Sequence, residues 1–179
     1  MAFQRIMVIG SPGAGKSTLA RKLRDITGLP LHYLDLLNHR ADRTTVSREE
    51  FDDELEVILR TEAWIIDGNY QRTIERRLQA CDTVILLDYP LQLCLAGAAE
   101  RVGRPREEMP WVERTLDESF RQAILEFPNS KLPQIYALLR QYGEGRQVVI
   151  LHSREEADAW MKWLASHSAL QNSSRCDIM

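Results

Sequence analysis

Five short apolar runs, separated by longer segments with helical periodicity, form the hydrophobic pattern of this chain. The runs lie at residues 5–9, 31–35, 64–67, 83–88 and 147–151. Near-continuous apolar runs of this length are typical of strands that are buried on both faces of a parallel sheet. Because helical segments alternate with these runs, we predict a three-layer α/β fold with helices on both faces of a five-stranded parallel sheet.

The helical segments follow from apolar spacing and from start and stop signals. They are predicted at 16–27, from Ser47 onward, and at 73–79, 91–102, 112–126, 132–141 and 154–166. Ser47 opens a capping box, S-R-E-E, before apolar residues at helical spacing. This helix and the polar residues before it form an insertion, at about 36–62, that we expect to cover a binding site. We predict one domain over residues 1–166 and a flexible tail over 167–179.

Length, charge and cysteine content narrow the class of protein. The chain has 179 residues and a net charge of -3, so it fits one domain without the basic surface of a general nucleic-acid binder. Direct DNA binding is therefore not supported by charge. The three cysteines show no metal-ligand spacing, and no apolar run approaches the ~20 residues that span a bilayer. We expect reduced thiols, a cytoplasmic location, no membrane association, and a monomer or homodimer.

A glycine-rich segment directly after the first predicted strand carries the clearest chemistry. It reads G-S-P-G-A-G-K-S-T and matches the phosphate-binding pattern G-x-x-x-x-G-K-[ST] at every fixed position. We call this segment the P-loop; its residues are Gly10, Ser11, Pro12, Gly13, Ala14, Gly15, Lys16, Ser17 and Thr18. The pattern predicts that ATP phosphates bind to the loop backbone and to Lys16, and that the Ser17 hydroxyl binds Mg²⁺.

Carboxylates at strand ends are candidates for the same site. Asp67 ends an apolar run and precedes glycine, as expected of a residue that binds Mg²⁺ beside Ser17; a turn aspartate is the alternative. Asp35 ends the second run and could contact Mg²⁺, bind the acceptor or accept its proton, and a helix N-cap explains it nearly as well. Asp88 ends the fourth run; it either belongs to the shell of groups around the Mg²⁺ ion or caps the N-terminus of the next helix.

Arginines are concentrated in one segment of this acidic chain. Arg101, Arg104, Arg106 and Arg114 lie within fourteen residues, and guanidinium groups suit a phosphoryl group in transfer. Gly103 and Pro105 favour a mobile turn, so we predict a short lid at about 101–114, which we call the lid. The alternative is a solvated helix end paired with neighbouring glutamates. Elsewhere, Arg40 and Arg72 are candidates for binding an anionic acceptor.

These blocks together resemble the adenylate-kinase-like P-loop kinases over nearly the whole chain to about residue 166. The block W-I-I-D-G-N-Y at 64–70 and the arginine-rich short lid are most similar to the DNA topology modulation (FlaR-type) proteins. The resemblance implies ATP and Mg²⁺ as donor and metal, and phosphoryl transfer to a small acceptor. Asn69 and Tyr70 stand where nucleotide kinases have Phe-Pro-Arg, which displaces Arg72 by one position and leaves the acceptor open.

Two other functions fit the same residues. The chain could be an ATP-binding regulatory module that acts through DNA topology or a protein partner, or an ATPase that uses water in place of a second substrate. A kinase for an unidentified small acceptor is the function that the sequence favours.

Overall fold

The computed structural model describes the backbone of residues 3–173 and the side chains of residues 3–167. Five parallel strands form one sheet in the order β2-β3-β1-β4-β5. Their bounds are β1 Arg5–Gly10, β2 Leu31–Tyr33, β3 Trp64–Asp67, β4 Thr83–Leu87 and β5 Gln147–Leu151. The predicted five-stranded parallel α/β fold is therefore confirmed.

Helices cover both faces of this sheet. They are α1 Lys16–Thr27, α2 Leu34–Asn38, α3 Arg48–Leu59, α4 Ile74–Ala80, α5 Leu91–Glu100, α6 Glu118–Ser130, α7 Leu132–Tyr142 and α8 Arg154–Ser173, with a 3-10 turn at Gln71–Thr73. No helix within the described residues is both long enough and apolar enough to span a membrane. The lid lies in the irregular segment between α5 and α6.

Alternation along the central strand divides the core between the two faces. Ile6 and Val8 of β1 pack with α1, α5 and α8, whereas Met7 and Ile9 pack with α3, α4 and α7. All four side chains are fully buried, because β1 lies between β3 and β4. From β1 the chain runs to β2 and then β3 on one side of β1, and from β3 it crosses to β4 and then β5 on the other side. Ligands of α/β proteins bind at this kind of switch point, beyond the carboxyl ends of the strands.

Three differences between predicted and observed boundaries bear on the site or on the extent of the domain. The strand predicted over 31–35 ends at Tyr33, so that Asp35 lies in the short helix α2 and not at a strand end. The helix predicted over 112–126 begins at Glu118, because the Asp117 carboxylate caps it by accepting from the backbone N–H of Phe120 at 3.1 Å. Helix α8 continues to Ser173, so the first part of the predicted tail is helical; residues 174–179 lie outside the described residues.

Candidate active site

The P-loop connects β1 to α1 in a backbone conformation that requires glycine. Gly10 and Gly13 have φ angles of +142° and +81°. A Cβ atom would lie 2.3 Å from the carbonyl oxygen of Leu87 at Gly10, and 2.1 Å from that of Cys94 at Gly13. The loop is therefore packed against the end of β4 and against α5 more closely than any side chain allows.

Lys16 is the first residue of α1, and its side chain folds back over the P-loop. Its Nζ donates to the carbonyl oxygens of Gly10 at 3.2 Å and Ser11 at 3.0 Å. Burial lowers the pKa of this ammonium group, and the charge of Asp67 opposes that effect. Because the N-terminus of α1 opens at the same point, its helix dipole and the Lys16 charge both favour an anion there.

Asp67 ends β3 beside β1, in register with Val8. Asp67 is only 5% exposed, and burial raises its pKa to about 6, against the opposing effects of the Lys16 charge and the Ser17 hydroxyl. One carboxylate oxygen, Oδ1, is buried and has no hydrogen-bond partner among the described residues. A buried, unsatisfied carboxylate oxygen next to a serine hydroxyl fits Mg²⁺, which prefers oxygen ligands.

No group of three or more His, Cys, Asp or Glu side chains in the described part of the chain could hold a metal by itself. Mg²⁺ enters kinase sites through one or two protein ligands together with the phosphates of the substrate. Ser17 and Asp67 would supply that pair here, so the residues present fit the metal that the sequence predicts.

Asp35 lies on α2 and is held by Tyr70. The Tyr70 hydroxyl donates to Asp35 Oδ1 at 3.0 Å, and its ring stacks on Phe51 of α3 with centroids 4.9 Å apart. Burial and the Asp35 charge both raise the pKa of Tyr70 above its usual value, so the phenol keeps its proton. The hydrogen bond fixes the orientation of the Asp35 carboxylate in the site.

Two further residues support the site, and none of the sequence predictions assigns a role to either. The side chain of Asn69 bonds to Gly10 of the P-loop through both its oxygen and its nitrogen. Arg77 of α4 is 0% exposed; it donates to the carbonyl oxygens of Gly68 and Asn69 and to the hydroxyl of Thr73. Arg77 thus holds the segment after β3, and Asn69 connects that segment to the P-loop.

The lid contributes arginines that are partly paired with acids. Arg101 and Arg106 approach the same Glu113 oxygen, at 3.4 and 3.0 Å, and the Arg101 guanidinium lies 4.2 Å from the ring centroid of Phe120. Burial lowers the pKa of Arg101, which remains far above neutral for a guanidinium. Arg104 is exposed at the mouth of the site.

Ion pairs join the lid to α1. Glu108 is only 5% exposed and lies between Arg21 of α1, at 2.8 Å, and Arg106 of the lid, at 3.1 Å. The neighbouring Glu107 pairs with Arg24, also on α1, at 2.5 Å, but both side chains are substantially exposed. The lid is thereby held over the helix that starts at the P-loop.

These elements surround one cleft of about 820 Å³, which we call the cleft. Of the predicted site residues, it brings together Pro12, Gly13, Ala14, Gly15, Lys16, Ser17, Thr18, Asp35, Asp67, Arg101, Arg104 and Arg106. Gly10 and Ser11 support the loop and do not line the cleft.

Three predicted arginines and Asp88 lie apart from the cleft lining. Arg40 donates through Nη2 to both Glu50 oxygens at 2.9 Å, and Arg72 donates through Nη1 to both Asp52 oxygens at 2.8 and 2.6 Å. Arg114 is exposed on the lid. The Asp88 carboxylate accepts from the Tyr136 hydroxyl at 2.6 Å.

Solved kinase structures have the same fold. Shikimate kinase from Acinetobacter baumannii, in complex with shikimate, matches with a TM-score of 0.60 at 17% identity, over 99% of this chain and 97% of that chain. Shikimate kinase from Bacteroides thetaiotaomicron matches with a TM-score of 0.53 at 16% identity, over 92% and 98% of the two chains. No protein-family model matches the sequence, and no curated protein matches it. At these identities the likeness establishes the fold, which is that of the P-loop kinases.

Proposed function

We propose that this protein is an ATP-dependent phosphotransferase that moves the γ-phosphoryl group of Mg-ATP to a small acceptor. One observation carries the proposal: Lys16, the Ser17–Asp67 pair and the lid arginines all line the same cleft. Phosphoryl transfer depends mainly on positioning and on neutralising charge, and these residues supply both. The kinase fold of the structural neighbours supports the same class of reaction.

The donor side of the cleft is formed by the P-loop and the lid. The loop backbone and Lys16 would bind the β- and γ-phosphates, and Ser17 and Asp67 would hold Mg²⁺. When bound there, Mg²⁺ would neutralise part of the negative charge of the phosphates. Arg101, Arg104 and Arg106 reach the same space from the lid and would stabilise the phosphoryl group in transfer.

We further propose that the chain belongs with the DNA topology modulation (FlaR-type) proteins, because of its W-I-I-D-G-N-Y block and short lid. An effect on DNA would then be indirect, because a net charge of -3 offers little attraction to a polyanion.

The test is ADP release from Mg-ATP with and without a panel of small acceptors, in the wild type and in Lys16→Ala. We expect acceptor-stimulated ADP release that falls about 10²- to 10³-fold in Lys16→Ala, because a charged donor to the transferring group is lost. Arg60→Ala, which removes an exposed side chain paired with Glu56 of α3, is the matched control and should retain full activity.

Other outcomes favour other functions. Equal turnover with and without every acceptor would identify an ATPase. Tight Mg-ATP binding without turnover would favour the regulatory module, and failure to bind Mg-ATP at all would contradict the proposal.

A further inference from the structure

We infer that the acceptor is a hydroxyl compound that carries no phosphate group, and that Asp35 takes the proton from its hydroxyl. The inference rests on the proposed function, because it requires a phosphoryl donor in the same cleft. It concerns the acceptor side of the cleft, which is formed by α2 and the segment 68–70 after β3.

The first observation is the distribution of positive charge around the cleft. The lining cations belong to α1, to the lid and to the start of α8: Lys16, Arg21, Lys22, Arg101, Arg104, Arg106 and Arg154. Within the described residues, the acceptor side contributes no cation to the lining. A bound phosphate monoester carries between one and two negative charges at neutral pH, and such groups are typically held by arginine forks.

Three arginines of the segments that follow α2 and Tyr70 in the chain are already bonded to other groups. Arg40 and Arg72 are each bonded to both oxygens of a carboxylate of α3, Glu50 and Asp52, outside the cleft. Arg77 is fully buried, and its guanidinium donates to two carbonyl oxygens and a hydroxyl. Binding a phosphate with any of them would require breaking these bonds first.

The second observation is the negative charge on the acceptor side. Asp35 lines the cleft on this side and is close enough to Lys16 for its charge to raise the Lys16 pKa. An incoming phosphate dianion would be repelled by the Asp35 carboxylate in a partly desolvated site. A neutral hydroxyl would not be repelled, and it could donate a hydrogen bond to Asp35.

The chemistry of the two acceptor classes leads to the same conclusion. A phosphate acceptor has a second pKa of about 6 and is ionised at neutral pH, so it needs no base. A hydroxyl acceptor must lose a proton during transfer, and a carboxylate within hydrogen-bond reach can accept it. Asp35 is such a group, and the bond from Tyr70 occupies Oδ1 and leaves Oδ2 available to an acceptor.

The transfer forms one bond to phosphorus and breaks one. The acceptor oxygen forms a bond to the γ-phosphorus, and its proton moves to Asp35 Oδ2. The bond between the γ-phosphorus and the β,γ-bridging oxygen breaks, and ADP leaves with that electron pair. Asp35 later releases the proton to water.

A split small-molecule extract of cells tests the inference while the acceptor itself is still unidentified. One half is treated with immobilised alkaline phosphatase, which removes phosphate groups from the small molecules and is then itself removed. Both halves are then incubated with Mg-[γ-³²P]ATP and either the wild-type protein or Lys16→Ala. We expect a labelled product that depends on Lys16 and is at least as abundant in the treated half. A product found only in the untreated half would overturn the inference and leave the kinase proposal standing. No Lys16-dependent product in either half would count against the proposed function and the inference together.

Two variants test the role of Asp35 with that labelled product. Asp35→Asn keeps the shape but cannot accept the proton, so we expect transfer to fall about 10²- to 10⁴-fold while the Kd of Mg-ATP stays within about twofold. Tyr70→Phe keeps the stacking on Phe51 and removes the bond to Asp35, so we expect a smaller loss in kcat and a changed pH profile. Unaltered transfer in Asp35→Asn would overturn the assignment of Asp35 as the base.

Discussion

Asn69 bonds to Gly10 through both polar atoms of its side chain. Its Oδ1 accepts from the Gly10 N–H at 3.1 Å, and its Nδ2 donates to the Gly10 carbonyl oxygen at 2.8 Å. Lys16 donates to the same carbonyl, and the Leu87 backbone lies close against the Gly10 Cα. The first residue of the P-loop is thus fixed by β4, by α1 and by the segment after β3.

We expect Asn69→Ala to weaken both the fold and nucleotide binding. The change removes two partly buried hydrogen bonds, each contributing about 1 kcal/mol, so the free energy of unfolding should fall by about 1–2 kcal/mol. The displaced loop should raise the Kd of Mg-ATP about tenfold, equivalent to about 1.4 kcal/mol. Urea denaturation and titration calorimetry measure the two effects.

Gln71→Ala is the matched control for this change. Gln71 lies two residues further along and bonds to Gln134 on the exposed side of the molecule at 3.3 Å. We expect its unfolding free energy to change by less than about 0.5 kcal/mol. Equal effects of the two substitutions would contradict a specific role for the Asn69–Gly10 pair.

Arg77 supports the same segment from α4, and we expect Arg77→Met to destabilise the protein by about 2–3 kcal/mol. Methionine retains an unbranched apolar stem but leaves the buried carbonyls of Gly68 and Asn69 without their donor. Arg76→Met is the control, because the neighbouring Arg76 is 40% exposed and its ion pairs with Asp52 and Glu56 should contribute at most about 1 kcal/mol. Urea denaturation of both variants gives the comparison, and equal losses would contradict the role of the buried guanidinium.

A double variant tests whether Arg77 acts through Asn69. If Arg77 positions the segment that Asn69 fastens to the P-loop, the effects of Arg77→Met and Asn69→Ala on the Kd of Mg-ATP should be less than additive. Fully additive effects would show that Arg77 and Asn69 act on Mg-ATP binding independently of each other.

The sheet and the position of the P-loop in the cleft could be predicted from the sequence because their signals are local. The apolar runs indicate the strands, and the P-loop pattern carries its own backbone requirements in consecutive residues. The position of Asp67 in the cleft could be predicted because it ends a buried run next to glycine. Asp35 lies one element later than predicted, since the pattern L-H-Y-L-D does not reveal that the strand stops at Tyr33 and a helix begins.

The remaining site residues depend on contacts between distant segments. Glu108 meets Arg21 across 87 positions, and no spacing rule predicts such a pair. Arg77 does leave a signal in the sequence: it follows Ile74 by three positions and adjoins Leu78, so it lies on the buried face of α4. A cation on the apolar face of a helix indicates buried acceptors, which here are backbone carbonyls.

Asp67 should make the stability of the metal-free protein depend on pH. Its pKa is raised by burial from an ordinary value of 3.8 to about 6, so the folded protein binds more protons than the unfolded chain between these two values. The free energy of unfolding should therefore fall as pH rises from about 4 to about 6, by up to about 3 kcal/mol from this group.

Asp67→Asn tests this dependence, because asparagine does not titrate. In EDTA at pH 7 we expect the variant to be about 2–3 kcal/mol more stable than the wild type, with the difference disappearing near pH 4. Urea denaturation between pH 4 and pH 7 gives the comparison, and Asp53→Asn, at an exposed position of α3, is the control. If the unfolding free energies of Asp67→Asn and the wild type changed with pH in parallel, the raised pKa of Asp67 would be contradicted.

The adjacent residues Glu107 and Glu108 offer a matched comparison of exposed and buried lid contacts. Both pair with arginines of α1, but Glu108 is 5% exposed and also pairs with Arg106, whereas the Glu107–Arg24 pair is largely solvated. Glu108→Gln removes the counter-charge of Arg21 and one of the two acids paired with Arg106, so we expect a loss of about 3 kcal/mol and faster amide exchange over residues 101–114. Glu107→Gln should cost less than about 1 kcal/mol and leave exchange in the lid unchanged. Urea denaturation and hydrogen exchange of both variants give the comparison. Equal losses of unfolding free energy and equal changes in lid exchange would mean that burial of Glu108 does not hold the lid over α1.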